Sequence, residues 1–128
     1  MQVEPQYQDV VREVIEFLRQ QTAQLEAAGV ARGRLCIDPG FGFGKTLTHN
    51  LALLKSIGQI QQELDLPVLA GLSRKSMLAG IIGKPVEQRL AGSLALALAA
   101  AANGARIVRV HDVAETVDAL KVWHAANN

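Results

Sequence analysis

Three apolar runs of strand length, Arg34-Leu35-Cys36-Ile37, Pro67-Val68-Leu69-Ala70-Gly71-Leu72 and Ala105-Arg106-Ile107-Val108-Arg109-Val110, are separated by stretches long enough for helices, and no hairpin turn joins any two of them. Successive strands without a hairpin run parallel, and parallel strands joined by helices cross over with one hand. The middle run is continuously apolar, as a strand covered on both faces is. Helical periodicity fills the gaps. Over residues 6–28, Val10, Val14, Phe17, Leu18 and Leu25 recur at three- and four-residue spacing, and Gly29 supplies the stop. Thr48 offers an N-cap for a second helix with the face Leu51, Leu54, Ile57 and Ile60, which ends before Pro67. After a short apolar turn or helix over residues 77–82, Pro85 suits the first position of a long helix that runs to about Asn103 and is capped by Gly104. Asp112, with Glu115 three residues on, predicts a capping box for a last helix whose face is Val113, Val117, Leu120 and Trp123.

Every strand run ends in a polar cluster. The first ends in Asp38-Pro39-Gly40-Phe41-Gly42-Phe43-Gly44-Lys45, the second in Ser73-Arg74-Lys75-Ser76, and the third in Arg109-Val110-His111-Asp112. Parallel strand ends share one edge of the sheet, so the three clusters are expected to converge. Arg74, Lys75, Arg109 and His111 suit a multiply charged anion such as a phosphate or pyrophosphate. Asp38 suits a ligand with adjacent N–H donors, such as an aminopyrimidine, because a carboxylate accepts two such bonds side by side. Plainer roles stand beside these: Asp38 as a capping or ion-paired residue, Lys75 as an exposed lysine at a helix start, His111 as a histidine satisfied by backbone. The alternation of Arg109 with His111 puts both on one side of their strand. Phe41 and Phe43 either face a ligand or another chain, or staple the loop to the helix that follows. His49 and His124 fall on helices and are expected to face solvent.

Nucleotide motifs are near misses. Gly44-Lys45-Thr46 ends a P-loop whose first glycine is replaced by Pro39, and the evenly spaced glycines do not fit the dinucleotide fingerprint. No His, Cys and Asp cluster has metal-ligand spacing, and no Ser-His-Asp or Cys-His arrangement is present in the pattern. With 13 basic and 12 acidic side chains in 128 residues, the net charge of +1 leaves no footprint for nucleic acid or an anionic membrane, so a basic site has to be local. The hydrophobic share of 49% suffices for one domain with an aliphatic core. Cys36, the single cysteine, lies in a strand run and is expected to be a buried small hydrophobe in a reducing cytoplasm. Residues 1–6 carry no apolar run of a signal peptide, and the Ala- and Leu-rich stretch over residues 90–102 is too short to span a bilayer, so it predicts a helix buried on most of its surface.

Taken together, Ile37 through Lys45, Gly71 through Ser76 and Arg109 through Val113 closely resemble the C-terminal half of bacterial dihydropteroate synthases, in order and spacing, across essentially the whole chain. The resemblance implies an α/β fold, the part of a (β/α)₈ barrel from helix 5 to helix 8, with three parallel strands each followed by a helix, over residues 1–128. It implies condensation of a dihydropterin methyl pyrophosphate with p-aminobenzoate, releasing pyrophosphate, in folate biosynthesis, and a sulfonamide target. It further implies that Asp38, Lys75, Gly71 and Arg109 bind the pterin, that Phe43, Ser73 and Arg74 bind p-aminobenzoate, and that Arg109 and His111 hold the pyrophosphate. Magnesium would be the family's cofactor, with its protein ligand outside these residues. A homodimer through the last helices is also implied. A barrel of this kind takes about 250 residues, so the half is expected to be catalytically incomplete alone and prone to self-association. Two other functions remain in play: a pterin-dependent methyltransferase fragment, and a non-catalytic half-barrel acting as an interaction module.

Overall fold

The structure, a computed structural model, describes residues 7–128 except Phe43. Helix α1 (Val10–Ala27) starts where Asp9 accepts the Arg12 N–H and the Glu13 carboxylate accepts the N–H groups of Gln8 and Asp9, so its start lies later than the apolar spacing alone predicts. It stops as expected at Gly29. The Gly29 N–H bonds to Glu26 and the Val30 N–H to Leu25, a Schellman closure that needs the left-handed φ of +99°.

The second helical stretch is two helices, α2 (Leu47–Lys55) and α3 (Ile57–Leu64), broken at Ser56. Its N-cap is Thr46 rather than Thr48: Thr46 and His49 cap each other's backbone N–H groups reciprocally. His49 is therefore half-buried and committed locally, with its ring edge-on to Tyr7 at 5.1 Å, and does not simply face solvent. After α4 (Met77–Ile82) the long helix does not begin at Pro85. A turn over Val86–Gln88 intervenes, and α5 runs over Leu90–Ala102. Gly104 closes α5 as α1 is closed, its N–H bonded to Ala101 and that of Ala105 to Ala100. Helix α6 is Val113–Asn127.

Strand pairing is parallel, as expected, but shorter than the apolar runs. β1 (Leu69–Ala70) pairs with β2 (Ile107–Val108) in the register Leu69↔Ile107 and Ala70↔Val108, and Ile37 forms a parallel bridge to Val68 on the other side of β1. Three extended segments therefore lie side by side with the residue 68–70 segment in the middle. Gln61 ties the sheet to its helices, accepting the Val68 N–H and donating to the Gly104 carbonyl, both at 2.8 Å. Leu53, Ile57, Ile60 and Val68, none of them measurably exposed, centre a core that Ile15 of α1 and Leu78 of α4 also enter.

Cys36 is exposed rather than buried: Arg34 closes a tight turn over Arg32–Arg34, and of that apolar run Ile37 is buried and Leu35 packs partly against the core. Helix α5 buries only Ser93, Leu96, Ala97 and Ala100, so it is covered on one side rather than on most of its surface. In α6 the expected face is not buried either. Thr116 is the only buried residue of that helix, while Val113 and Val117 are 58% and 42% exposed.

Candidate functional site

Asp38 ends the first extended segment. Its Oδ1 accepts the Gly40 N–H at 2.8 Å, which turns the chain into the glycine loop. The loop then passes through Gly40, Gly42 and Gly44 at φ of +77°, +94° and +59°, values at which a side chain is strained. Phe41 is 1% exposed and belongs to the core, so of its two possible roles it takes the anchoring one. Phe43 lies outside the described residues. Asn50, 2% exposed, braces the loop from α2: its Oδ1 accepts the Gly42 N–H at 2.8 Å and its Nδ2 donates to the Thr46 carbonyl at 3.0 Å. Two lysines reach in from either side, Lys45 Nζ donating to the Gly40 carbonyl and Lys75 Nζ to the Phe41 carbonyl, each at 2.8 Å.

The other two strand ends meet this loop and each other. Arg109 Nη1 stands 3.6 Å from Asp38 Oδ2, which joins the first and third segments. The Arg109 guanidinium occupies the volume beside Gly71, where a Cβ would come within 2.4 Å of its Nη2. From the second segment, Ser73 Oγ lies 2.9 Å from His111 Nδ1 and accepts the His111 backbone N–H at 3.2 Å. The Arg74 guanidinium grips the Asp112 carboxylate at 2.8 and 3.3 Å. Arg74 sits at a left-handed φ of +56°, and its N–H is received by the buried Ser93 Oγ at 2.9 Å. Asp112 spends its carboxylate on Arg74, and for that reason the capping box predicted with Glu115 does not form.

The electrostatics follow from one carboxylate among several cations. Burial pushes the Lys75 ammonium below its ordinary value, Arg109 pushes it the same way, and Asp38 opposes both. Burial also lowers Lys45, against Asp38 and with Lys75. Such a cluster is poised for an anion that supplies the missing negative charge. Two hollows adjoin it: one of about 400 Å³ between α1 and Asp38, Pro39, Gly40 and Lys45, and one of about 200 Å³ beside Phe41, Gly42, Lys75 and Ser76.

Of the residues singled out by sequence, Asp38, Gly71, Lys75 and Arg109 converge on one spot, Ser73 and His111 form a second contact beside it, and Arg74 is held by Asp112. Asn50 and Ser93 have no place in the sequence pattern, and Lys45 stands in it only as the end of the glycine run, without a binding role. The fold turns Lys45 back onto the Gly40 carbonyl; Asn50 and Ser93 carry no signal in sequence, because their partners are backbone N–H groups placed only by the fold.

A family model described as pterin binding enzyme matches residues 1–111. The dihydropteroate synthase of Haemophilus influenzae is 50% identical over 128 residues, covering 100% of this chain and 46% of that protein. The solved dihydropteroate synthase from Stenotrophomonas maltophilia, with imidazole bound in its active site, has a TM-score of 0.95 and 53% identity, covering 98% of this chain and 48% of the other. That of Xanthomonas albilineans in complex with 7,8-dihydropteroate has a TM-score of 0.91 and 52% identity, covering 95% and 47%. The chain spans about half the length of the relatives it matches.

Proposed function

The chain belongs to the pterin binding enzyme family, and from that premise we propose that it forms the pterin and pyrophosphate side of a dihydropteroate synthase site. The observation that carries this is the meeting of Asp38 with Arg109, 3.6 Å apart at the tips of three parallel segments, near enough to Lys75 for both charges to act on its ammonium. A carboxylate has about four acceptor positions. The Gly40 N–H takes one and Arg109 approaches another, which leaves capacity for the paired N–H groups of an aminopyrimidine. Lys75, whose ammonium donates to the Phe41 carbonyl across the glycine loop, contacts the ring, and Gly71 makes room for Arg109. Arg109 and His111 hold the pyrophosphate, while Ser73 and Arg74 serve the p-aminobenzoate side, to which the family resemblance also assigns Phe43.

In the reaction the bond between the pterin methylene and the pyrophosphate oxygen breaks, and both electrons leave with the pyrophosphate. Arg109, Lys75 and His111 stabilise that developing negative charge. The amine nitrogen of p-aminobenzoate then bonds to the methylene carbon and gives up a proton to water. No side chain has to act as a strong base. The magnesium of the family is assigned a protein ligand outside residues 1–128, and no step is routed through it.

We place residues 1–128 as the part of a (β/α)₈ barrel from helix 5 to helix 8, working in the cytoplasm and pairing with a second copy through its last helices. Turnover is expected only together with the remaining strands. Calorimetry with the dihydropterin pyrophosphate tests the site: the chain binds it, and Asp38→Asn weakens binding by about 100-fold, the loss of two hydrogen bonds to a charged acceptor. No binding by the unmodified chain overturns the proposal. The non-catalytic interaction module is favoured by a different observation, the uncovered apolar residues of α6, and gains if no pterin binds. The Arg109-x-His111 pair has no evident purpose in methyl transfer, which counts against the methyltransferase.

A further inference from the structure

Ser73 is 7% exposed, and its hydroxyl oxygen has two neighbours, both from one residue: the His111 backbone N–H at 3.2 Å and His111 Nδ1 at 2.9 Å. The backbone N–H is a donor by necessity, so Oγ accepts there. If Nδ1 were protonated, Oγ would accept twice and its own buried hydrogen would need a third partner; no other contact of that hydroxyl is seen. Every hydrogen is placed when the Ser73 O–H donates to an unprotonated Nδ1. The ring proton of neutral His111 then sits on Nε2, the nitrogen that the exposed ring leaves available.

We propose that Ser73 is the positioning residue of His111: it fixes both the ring orientation and the tautomer, so that His111 presents an Nε2–H donor to an oxyanion even when uncharged. This deepens the pyrophosphate assignment made above and rests on it. Ser73 acts through His111 and does not itself touch the anion. His111 follows Arg109 by two residues at the same strand end, so a diphosphate bound there would be offered both a permanent cation and a directed neutral donor.

Two measurements test it separately from the function. In the ¹⁵N-labelled chain, long-range proton–nitrogen correlation gives the protonation of each imidazole nitrogen, His111 being identified by its loss in His111→Gln. In alkaline solution, at a pH where the spectrum shows the ring uncharged, His111 is expected with Nε2 protonated and Nδ1 shifted by an accepted hydrogen bond, and Ser73→Ala is expected to remove that shift and mix the tautomers. A proton on Nδ1, or ring shifts unmoved by Ser73→Ala, overturns the proposal. Inorganic pyrophosphate is then titrated at the same pH into the chain, Ser73→Ala, His111→Ala and the double variant. Ser73→Ala is expected to weaken binding about tenfold and to add no loss in the His111→Ala background. An equal loss in both backgrounds means that Ser73 contacts the anion directly and also overturns it. Should pyrophosphate fail to bind the unmodified chain, the pyrophosphate assignment falls, while the ring-nitrogen shifts still decide the role of Ser73.

Discussion

One methyl group separates Gly71 from alanine, and the Arg109 guanidinium fills the space it would need, with Nη2, Cζ and Nε all within 3.1 Å of the position of a Cβ. Gly71→Ala is therefore expected to keep the fold but expel Arg109, so that pyrophosphate affinity falls about tenfold, as far as in Arg109→Ala; isothermal titration of both variants checks this. Lys75 shows the reverse balance. Its ammonium is pushed below its ordinary value chiefly by burial, so the charge serves a ligand at some cost to the unliganded fold. Because the folded value lies under the unfolded one, the unfolded chain binds more protons between the two, and stability rises with pH through that alkaline window. Lys75→Met should leave the thermal midpoint unchanged or higher, lessen that alkaline rise and abolish pterin binding. A lower midpoint with binding retained would contradict it, as read by calorimetry and by thermal unfolding across pH.

At the scale of elements, what could be read in the sequence was what depends on near neighbours. Gly29 and Gly104 end their helices as expected because a Schellman closure is made within six residues. The three parallel segments and the polar tips were legible because strand-length apolar runs and the want of hairpins limit the topology. Where distant groups compete, the local signal failed. Asp112 has the sequence of a capping box but its carboxylate goes to Arg74 on another segment, and Asn50 looks like an ordinary helix residue while it holds the loop that carries Asp38 and Phe41. Asn50→Ala leaves the Gly42 N–H unsatisfied in a partly buried place. It is expected to cost about 1–3 kcal/mol, measured by urea unfolding, and to expose the glycine loop to proteolysis at low protease concentration.

Over the whole molecule the sheet stays open. The residue 37 and residue 107–108 segments each have one side without a strand partner among the described residues, Ile107 is 43% exposed, and a groove of about 520 Å³ runs between α5 and α6 past Val117, Leu120 and Trp123. Unpaired edges and uncovered apolar faces favour association. Sedimentation velocity is expected to show a mass that rises with concentration, and Val117→Lys to lower it; a monomer at every concentration would contradict this. The contact between Asp38 and Arg109 has one more consequence, for the order of events as the chain is made. Its two halves come from the first and the last extended segments, so a ribosome has to release the third segment before any ligand finds its place. A small molecule that touches all three tips recognises only the finished arrangement, and by mass action it holds that arrangement together. Its affinity becomes a gauge of assembly, readable without any catalytic turnover.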